Sequence, residues 1–232
     1  MAEDPDDSLL QHIHTGRINV WVKSLSVVIF GLLRLVMGLC FRLKAHGVKH
    51  VPRTGPVIFC ANHSTYLDGV FVATSLPFPV VMQTFFLGDS KFLESVFLKP
   101  FQKILRLIPI QFTHRMVDAM RVCAYVLRQR KNLCYFPEGQ RSIDGGIKEF
   151  RKGVGILIKE LDVPVVPVYI RGAFEIWPRG KRWPKLGQVE VFYGAPVSAQ
   201  ELMFRMTGSE DVYGRIAENL REKVESLAQK VT

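Results

Sequence analysis

Cysteine is scarce and scattered. Cys40, Cys60, Cys123 and Cys134 form no CxxC pair, and none has a histidine at zinc-ligand spacing, which argues against a structural metal site and a disulfide scaffold. Lysine and arginine are missing from the first seven positions, where Glu3, Asp4, Asp6 and Asp7 sit instead. A secretory signal is basic there, and no small-residue cleavage site follows an apolar segment, so an intracellular chain without a signal peptide is expected. Internal repeats and low-complexity tracts are also missing, which excludes solenoid and disordered architectures.

What remains is an ordinary globular composition, 48% hydrophobic and 22% charged over 232 residues, enough for one domain with an appended arm. Its charge is lopsided: 31 Lys and Arg against 21 Asp and Glu give +10, and the acidic start leaves the rest more basic still. Such a chain expects a polyanionic partner, whether nucleic acid, phosphorylated metabolites or an anionic bilayer.

The stretch Val20–Phe41 (VWVKSLSVVIFGLLRLVMGLCF) is apolar but interrupted by Lys23 and Arg34. The uncharged run between them gives about 15 Å of helix, against the ~30 Å of a hydrocarbon core. Lys23 and Arg34 fall on one helical stripe, with Ser26 and Gly38 close to it. The expectation is an interfacial helix with its cations toward lipid phosphates and its broad apolar face in the acyl layer. Gly31 or Gly38 is a place where it would break in two. A helix packed on the core and a snorkelling span are the alternatives. The chain therefore divides into an acidic, flexible 1–16, a helical membrane-associating 17–45, and a domain over 46–232.

Within that domain short apolar runs alternate with helical patterns. Pro56–Ala61, Val80–Phe86, Leu107–Phe112, Asn132–Phe136, Val163–Ile170 and Gln188–Tyr193 read as strands. Val117, Met120, Ala124 and Leu127 mark Met116–Arg130 as a core-facing helix, and Val212, Ile216, Leu220, Val224 and Leu227 mark another over 211–229. The alternation implies an α/β fold, a mostly parallel central sheet flanked by helices, with ligands beyond the carboxyl ends of its strands.

At the end of the first strong strand stands Asn62-His63-Ser64-Thr65-Tyr66-Leu67-Asp68. On one continuous helix, positions 63 and 68 would point about 140° apart. With His63 on the strand-to-helix turn and Asp68 in the helix's first turn, the carboxylate folds back to the imidazole and holds one tautomer, as in a triad lacking its nucleophile. There is no G-x-S-x-G elbow, so the nucleophile belongs to the substrate. The same residues also fit a capping box in which Asp68 only ties backbone amides.

A later strand ends in Pro137-Glu138-Gly139-Gln140-Arg141-Ser142. This turn presents Glu138 and Arg141 on either side of Gly139; a guanidinium fork suits a phosphate and a carboxylate suits a sugar or glycerol hydroxyl. A surface turn with an incidental ion pair is the alternative. Lys148, Arg151 and Lys152 downstream read as a solvated or lipid-facing run. The strand VPVVPVYI carries two prolines and is expected to bend near the site, for architectural reasons. Arg171, Arg179, Lys181, Arg182 and Lys185 then interleave with Trp177-Pro178 and Trp183-Pro184, a pattern suited to nucleobases or to a lipid headgroup layer.

Taken in order, NHSTYLD, FPEGQRS and VPVVPVYI resemble the signature blocks of the 1-acyl-sn-glycerol-3-phosphate (lysophosphatidate) acyltransferases, the glycerolipid acyltransferase family, from about Gly47 to Pro196. The resemblance implies that His63 is the general base and Asp68 its orienting partner. Glu138, Gly139 and Arg141 match the block that binds glycerol phosphate. Lys91, in GDSKFLE, matches a lysine common in the family. Leu107-Ile108-Pro109-Ile110 matches a block normally followed closely by arginine; here Arg115 comes later, and Gln140 stands where the family usually has threonine.

The implied partners are an acyl thioester donor (acyl-CoA or acyl carrier protein), a lysophospholipid acceptor and an anionic membrane surface at the cytoplasmic face. No further cofactor and no metal are implied. Nucleic acid ranks last, since nothing resembles a helix-turn-helix, zinc finger or stacking platform.

Overall fold

The computed structural model describes residues 19–89, 102–110, 116–204 and 211–229. Nine α-helices and seven strands lie among them. In chain order they begin with helix α1 (Val20–Phe41), strands β1 (Lys44–His46) and β2 (Ile58–Ala61), and helices α2 (Asp68–Ser75) and α3 (Phe78–Val81). Then come β3 (Thr84–Asp89), α4 (Gln102–Leu105), β4 (Leu107–Ile110), α5 (Met116–Arg128), β5 (Asn132–Tyr135) and α6 (Gly153–Leu161). The last are β6 (Val165–Arg171), α7 (Ala173–Ile176), β7 (Glu190–Tyr193), α8 (Ala199–Met203) and α9 (Val212–Gln229).

The strands form one sheet in the order β1-β7-β6-β2-β5-β3-β4. Only β6 and β7 pair antiparallel; every other neighbouring pair is parallel, so the expected mostly parallel α/β sheet is what forms. Alternate residues of β2 feed opposite faces, as a pleated strand requires. Phe59 and Ala61 join Phe30, Phe41, Phe71 and Tyr193 on the side of α1 and α2. Ile58 and Cys60 join Leu157, Ile158, Ile216 and Leu220 on the side of α6 and α9.

The run expected as a single strand over Val80–Phe86 is split. Pro77 caps and Pro79 enters a short helix, α3, and the strand begins at Thr84. Proline fixes φ near helical values and is at ease in a first turn, which outweighs the β-preference of two valines. The strand β1 was not foreseen because its three residues are all exposed and carry no apolar alternation. In β6, Pro167 pairs with Cys60 at the sheet centre. Its carbonyl accepts from Gly194 N at 2.9 Å, just beyond the end of β7. The N–H it lacks would have faced the same way, so the missing bond falls at the margin of the β6–β7 ladder.

Helix α1 is one continuous helix over the residues expected, and neither Gly31 nor Gly38 breaks it. The direction of its polar stripe is opposite to the expectation. Ser26, Phe30, Met37 and Phe41 are buried against the domain. Arg34 lies on their side of the helix and donates its Nε to Thr74 O at 2.8 Å and its Nη2 to Leu76 O. Those carbonyls close α2, where a cation meets both unpaired acceptors and the negative end of the helix dipole. Arg34 is therefore engaged by protein. Trp21, Leu25, Val28, Leu32, Leu35 and Leu39 fall within an arc about 80° wide on the opposite face, and all are exposed.

Candidate active site

The sheet's centre places the two motif loops side by side. Strands β2 and β5 are parallel neighbours with Cys60 opposite Tyr135, so three residues on, His63 and Glu138 leave the same rim level with each other. Asn62 fixes the exit of β2. Its side chain accepts from Ile170 N at 2.7 Å and donates to Ile170 O at 3.1 Å, extending the ladder toward β6.

His63 Nδ1 lies 2.8 Å from Asp68 Oδ2. The carboxylate is fully buried and saturated: Oδ2 also accepts from Ser64 N at 2.6 Å and Thr65 N at 2.8 Å, and Oδ1 accepts from Thr65 Oγ1 at 2.7 Å. Asp68 thus ties amides at the start of α2 and orients the histidine with the same carboxylate; the two readings of its sequence context coincide. An ionised carboxylate only accepts, so Nδ1 carries the proton and Nε2 presents a lone pair. The ring stacks on Phe136 with centroids 4.4 Å apart and keeps 22% of its side chain exposed.

Glu138 is buried, and both its oxygens hold backbone. Oε1 accepts from His63 N at 2.7 Å and Oε2 from Lys148 N at 3.1 Å. Burial pushes its carboxyl above the ordinary range, against the pull of those two amides. Ser142 N donates to His63 O at 2.7 Å, so the peptide groups on both sides of the histidine are pinned by the second loop. Gly139 sits at φ 71°, so this turn takes glycine on conformational grounds; a Cβ there would also displace the Arg151 side chain, whose Nε would stand 2.7 Å away.

Arg141 faces the histidine loop. Its guanidinium lies 3.6 Å from the centre of the Tyr66 ring, which in turn packs edge-on against Trp177 at 5.7 Å. Lys148, expected in a solvated run, instead donates its Nζ to Arg141 O at 3.1 Å and latches the turn. Lys91 and Arg115 lie outside the described residues. Tyr66, Phe136 and Asn62 also belong to the site, and their one sequence signal is adjacency to the two motifs. Among the described residues, no three His, Cys, Asp or Glu side chains gather where a metal ion would fit. Cys60 and Cys134 lie in the strands beneath the site, buried, with thiols that burial pushes up, so neither presents a thiolate.

An imidazole held by a buried carboxylate therefore stands at the carboxyl rim of a mostly parallel sheet, with the Arg141 guanidinium over the neighbouring Tyr66 ring. The family described as Acyltransferase matches residues 42–171, more than half of the chain, and the chain belongs to it. It is similar to the chloroplastic 1-acyl-sn-glycerol-3-phosphate acyltransferase of Brassica napus (26% identical over 168 residues, 68% of this chain and 45% of that one). It is likewise similar to the human 1-acyl-sn-glycerol-3-phosphate acyltransferase alpha (25% over 188 residues, 78% and 64%). The chain spans about half the length of the curated relatives it matches. Its fold matches the crystal structure of the 1-acyl-sn-glycerophosphate acyltransferase PlsC of Thermotoga maritima, with TM-score 0.65 and 20% identity over 98% of this chain and 84% of that one.

Proposed function

We propose that the chain transfers a fatty acyl group from an acyl thioester, acyl-CoA or acyl carrier protein, to the free glycerol hydroxyl of 1-acyl-sn-glycerol-3-phosphate, forming phosphatidate. The observation that carries this reading is the 2.8 Å contact of His63 Nδ1 with a buried, fully hydrogen-bonded Asp68, which leaves Nε2 the free nitrogen of a partly exposed ring. His63 Nε2 takes the hydroxyl proton and Asp68 balances the imidazolium that forms. The alkoxide attacks the thioester carbonyl. The tetrahedral adduct collapses, the C–S bond breaks, and the thiolate leaves with the proton from His63. No acyl-enzyme forms and no resident cofactor is required. Arg141 binds the acceptor phosphate, Gly139 lets the turn approach it, and Glu138 positions the histidine peptide. Lys91 and Arg115 are assigned to the acceptor by the motif resemblance alone, since both lie outside the described residues.

Helix α1 supports a membrane-seated enzyme: by length and composition it is apolar enough to cross a bilayer. From Ser26 to Phe41, about 24 Å of helix, it is docked on the domain. A docked helix of this kind lies along the interface rather than through it, and the cations that follow it suit the anionic cytoplasmic leaflet.

The test is a matrix of the two donors against several lysolipid acceptors, with products identified by mass. Acyl transfer to lysophosphatidate above other acceptors is expected. Free fatty acid released equally fast with and without acceptor makes the chain a thioester hydrolase instead, and no turnover above background makes it a lipid-binding domain.

A further inference from the structure

Between α7 and β7 the chain runs through Trp177–Gln188 (WPRGKRWPKLGQ), twelve residues with four cations and no acid. This segment is a fixed projection. Trp177 Nε1 donates to Lys181 O at 2.9 Å, and Lys185 N donates to Ile176 O at 2.8 Å, which closes the loop at its root. Gly187 N then donates to Cys40 O at 3.3 Å and Val189 N to Phe41 O at 2.9 Å, so the loop is stitched to the last turn of α1.

What it holds out is unusual for a surface loop. Trp183 is 73% and Leu186 79% exposed. Arg179, Lys181, Arg182 and Lys185 are exposed too, and none has an ion-pair partner among the described residues. At the adjoining helix end Leu39 is 74% exposed. An indole and a leucine interleaved with four cations, one of which (Arg182) lies over the Trp183 ring at 5.8 Å, beside an exposed apolar helix, match the layer where hydrocarbon gives way to anionic headgroups.

We propose that Trp177–Gln188 is a second lipid-contact element, a headgroup-reading loop that binds anionic bilayers beside the apolar stripe on α1. Trp183 and Leu186 enter the interface, and the cations bind lipid phosphates around them. The root residue Trp177 packs on Tyr66, whose ring carries Arg141. Seating the loop therefore sets the acceptor side of the cleft beside the headgroups from which a lysophospholipid arrives. This inference rests on the membrane-seated reading of α1.

The test compares the full chain with two variants, Lys181→Gln/Arg182→Gln/Lys185→Gln and Trp183→Ala/Leu186→Ala. Binding is measured on phosphatidylcholine vesicles with and without phosphatidylglycerol, and turnover on a short-chain, water-soluble lysophosphatidate. Melting curves check the fold. The charge variant is expected to lose about fivefold in affinity per cation, about a hundredfold in all, on anionic vesicles only. The apolar variant is expected to lose roughly tenfold on both kinds of vesicle. Soluble turnover stays unchanged in both. Variants that bind like the parent overturn the loop and leave the helix reading standing, whereas a parent that binds no vesicles removes both. A raised KM for the thioester donor with vesicle binding intact overturns the proposal by assigning these cations to the donor's phosphates. Absent turnover in the parent counts against the acyltransfer reading alone, because vesicle binding is read without it.

Discussion

Under the proposed function the cleft has a base side and an acceptor side, and the two are built to different standards. On the base side, four donors converge on Asp68 and the histidine's own peptide groups are held at both ends by Glu138 and Ser142. On the acceptor side, Arg141 rests on the face of Tyr66, a residue 46% exposed, and the neighbouring Gly139 and Gln140 face solvent. Groups that must meet a reacting atom within a few tenths of an ångström are fixed by backbone and buried charge. Arg141, the group proposed to meet a phosphate, is left as an adaptable fork on a ring. Under the proposed function the reaction is preset, and the choice of acceptor is where such a site adjusts.

The largest effects are expected on the base side. His63→Ala should lower turnover at least about a thousandfold. The ties to Glu138 and Ser142 run through its peptide groups, so the variant should melt within a few degrees of the parent. Asp68→Asn should cost about 10³- to 10⁴-fold in kcat, by loss of the tautomer it imposes. It should also cost about 1–3 kcal/mol of stability, because an amide NH2 then confronts donors. Turnover retained in His63→Ala removes the assigned base.

Glu138→Gln tests whether the second loop positions the first. Gln has one acceptor oxygen for the two amides that Glu138 holds, so a loss of about 1–3 kcal/mol is expected, with kcat falling more than KM rises. The pH dependence carries a sign. Because burial raises this carboxyl, the folded chain keeps its proton to higher pH than the unfolded one. Its contribution to stability is therefore fully present below the unfolded value of about 4.3 and declines as pH rises through the folded one. In Glu138→Gln that decline should vanish from pH-dependent denaturant midpoints.

Arg141→Lys moves to the acceptor side and should do less. A point charge replaces a bidentate fork, so KM for a phosphate-bearing acceptor should rise about 10- to 100-fold while kcat changes little. The reverse split, with kcat falling at constant KM, would move Arg141 to the base side and erase the contrast.

The same contrast governs what could be read from the chain. His63 and Asp68 were legible because local chemistry, a strand end running into a helix start, brings them together within a few residues. Gly139 and Arg141 were legible as a turn. What sequence could not give is what the sheet order decides. That Glu138 reaches the His63 amide follows from β2 and β5 being neighbours, and Asn62 meets Ile170 because β6 lies on the other side. The stripe on α1 was found by periodicity, but a helical wheel has no label for its protein side. Arg34 turned inward because α2 ends in carbonyls that needed it.

Tyr66 supplies the smallest effect and the sharpest reading of the contrast. If the ring holds the guanidinium only as a face, Tyr66→Phe should leave KM for the acceptor unchanged. Tyr66→Leu, which keeps an apolar group but removes the quadrupole, should raise it about two- to fivefold, the worth of an exposed cation–π contact. Neither should alter kcat, because His63 and Asp68 are held by bonds that do not pass through this ring. A drop in kcat for Tyr66→Leu with KM unmoved would mean that the ring steadies the histidine turn instead. The acceptor side would then be as firmly built as the base side, with Arg141 an added clamp on the chemistry rather than a separate, adaptable contact.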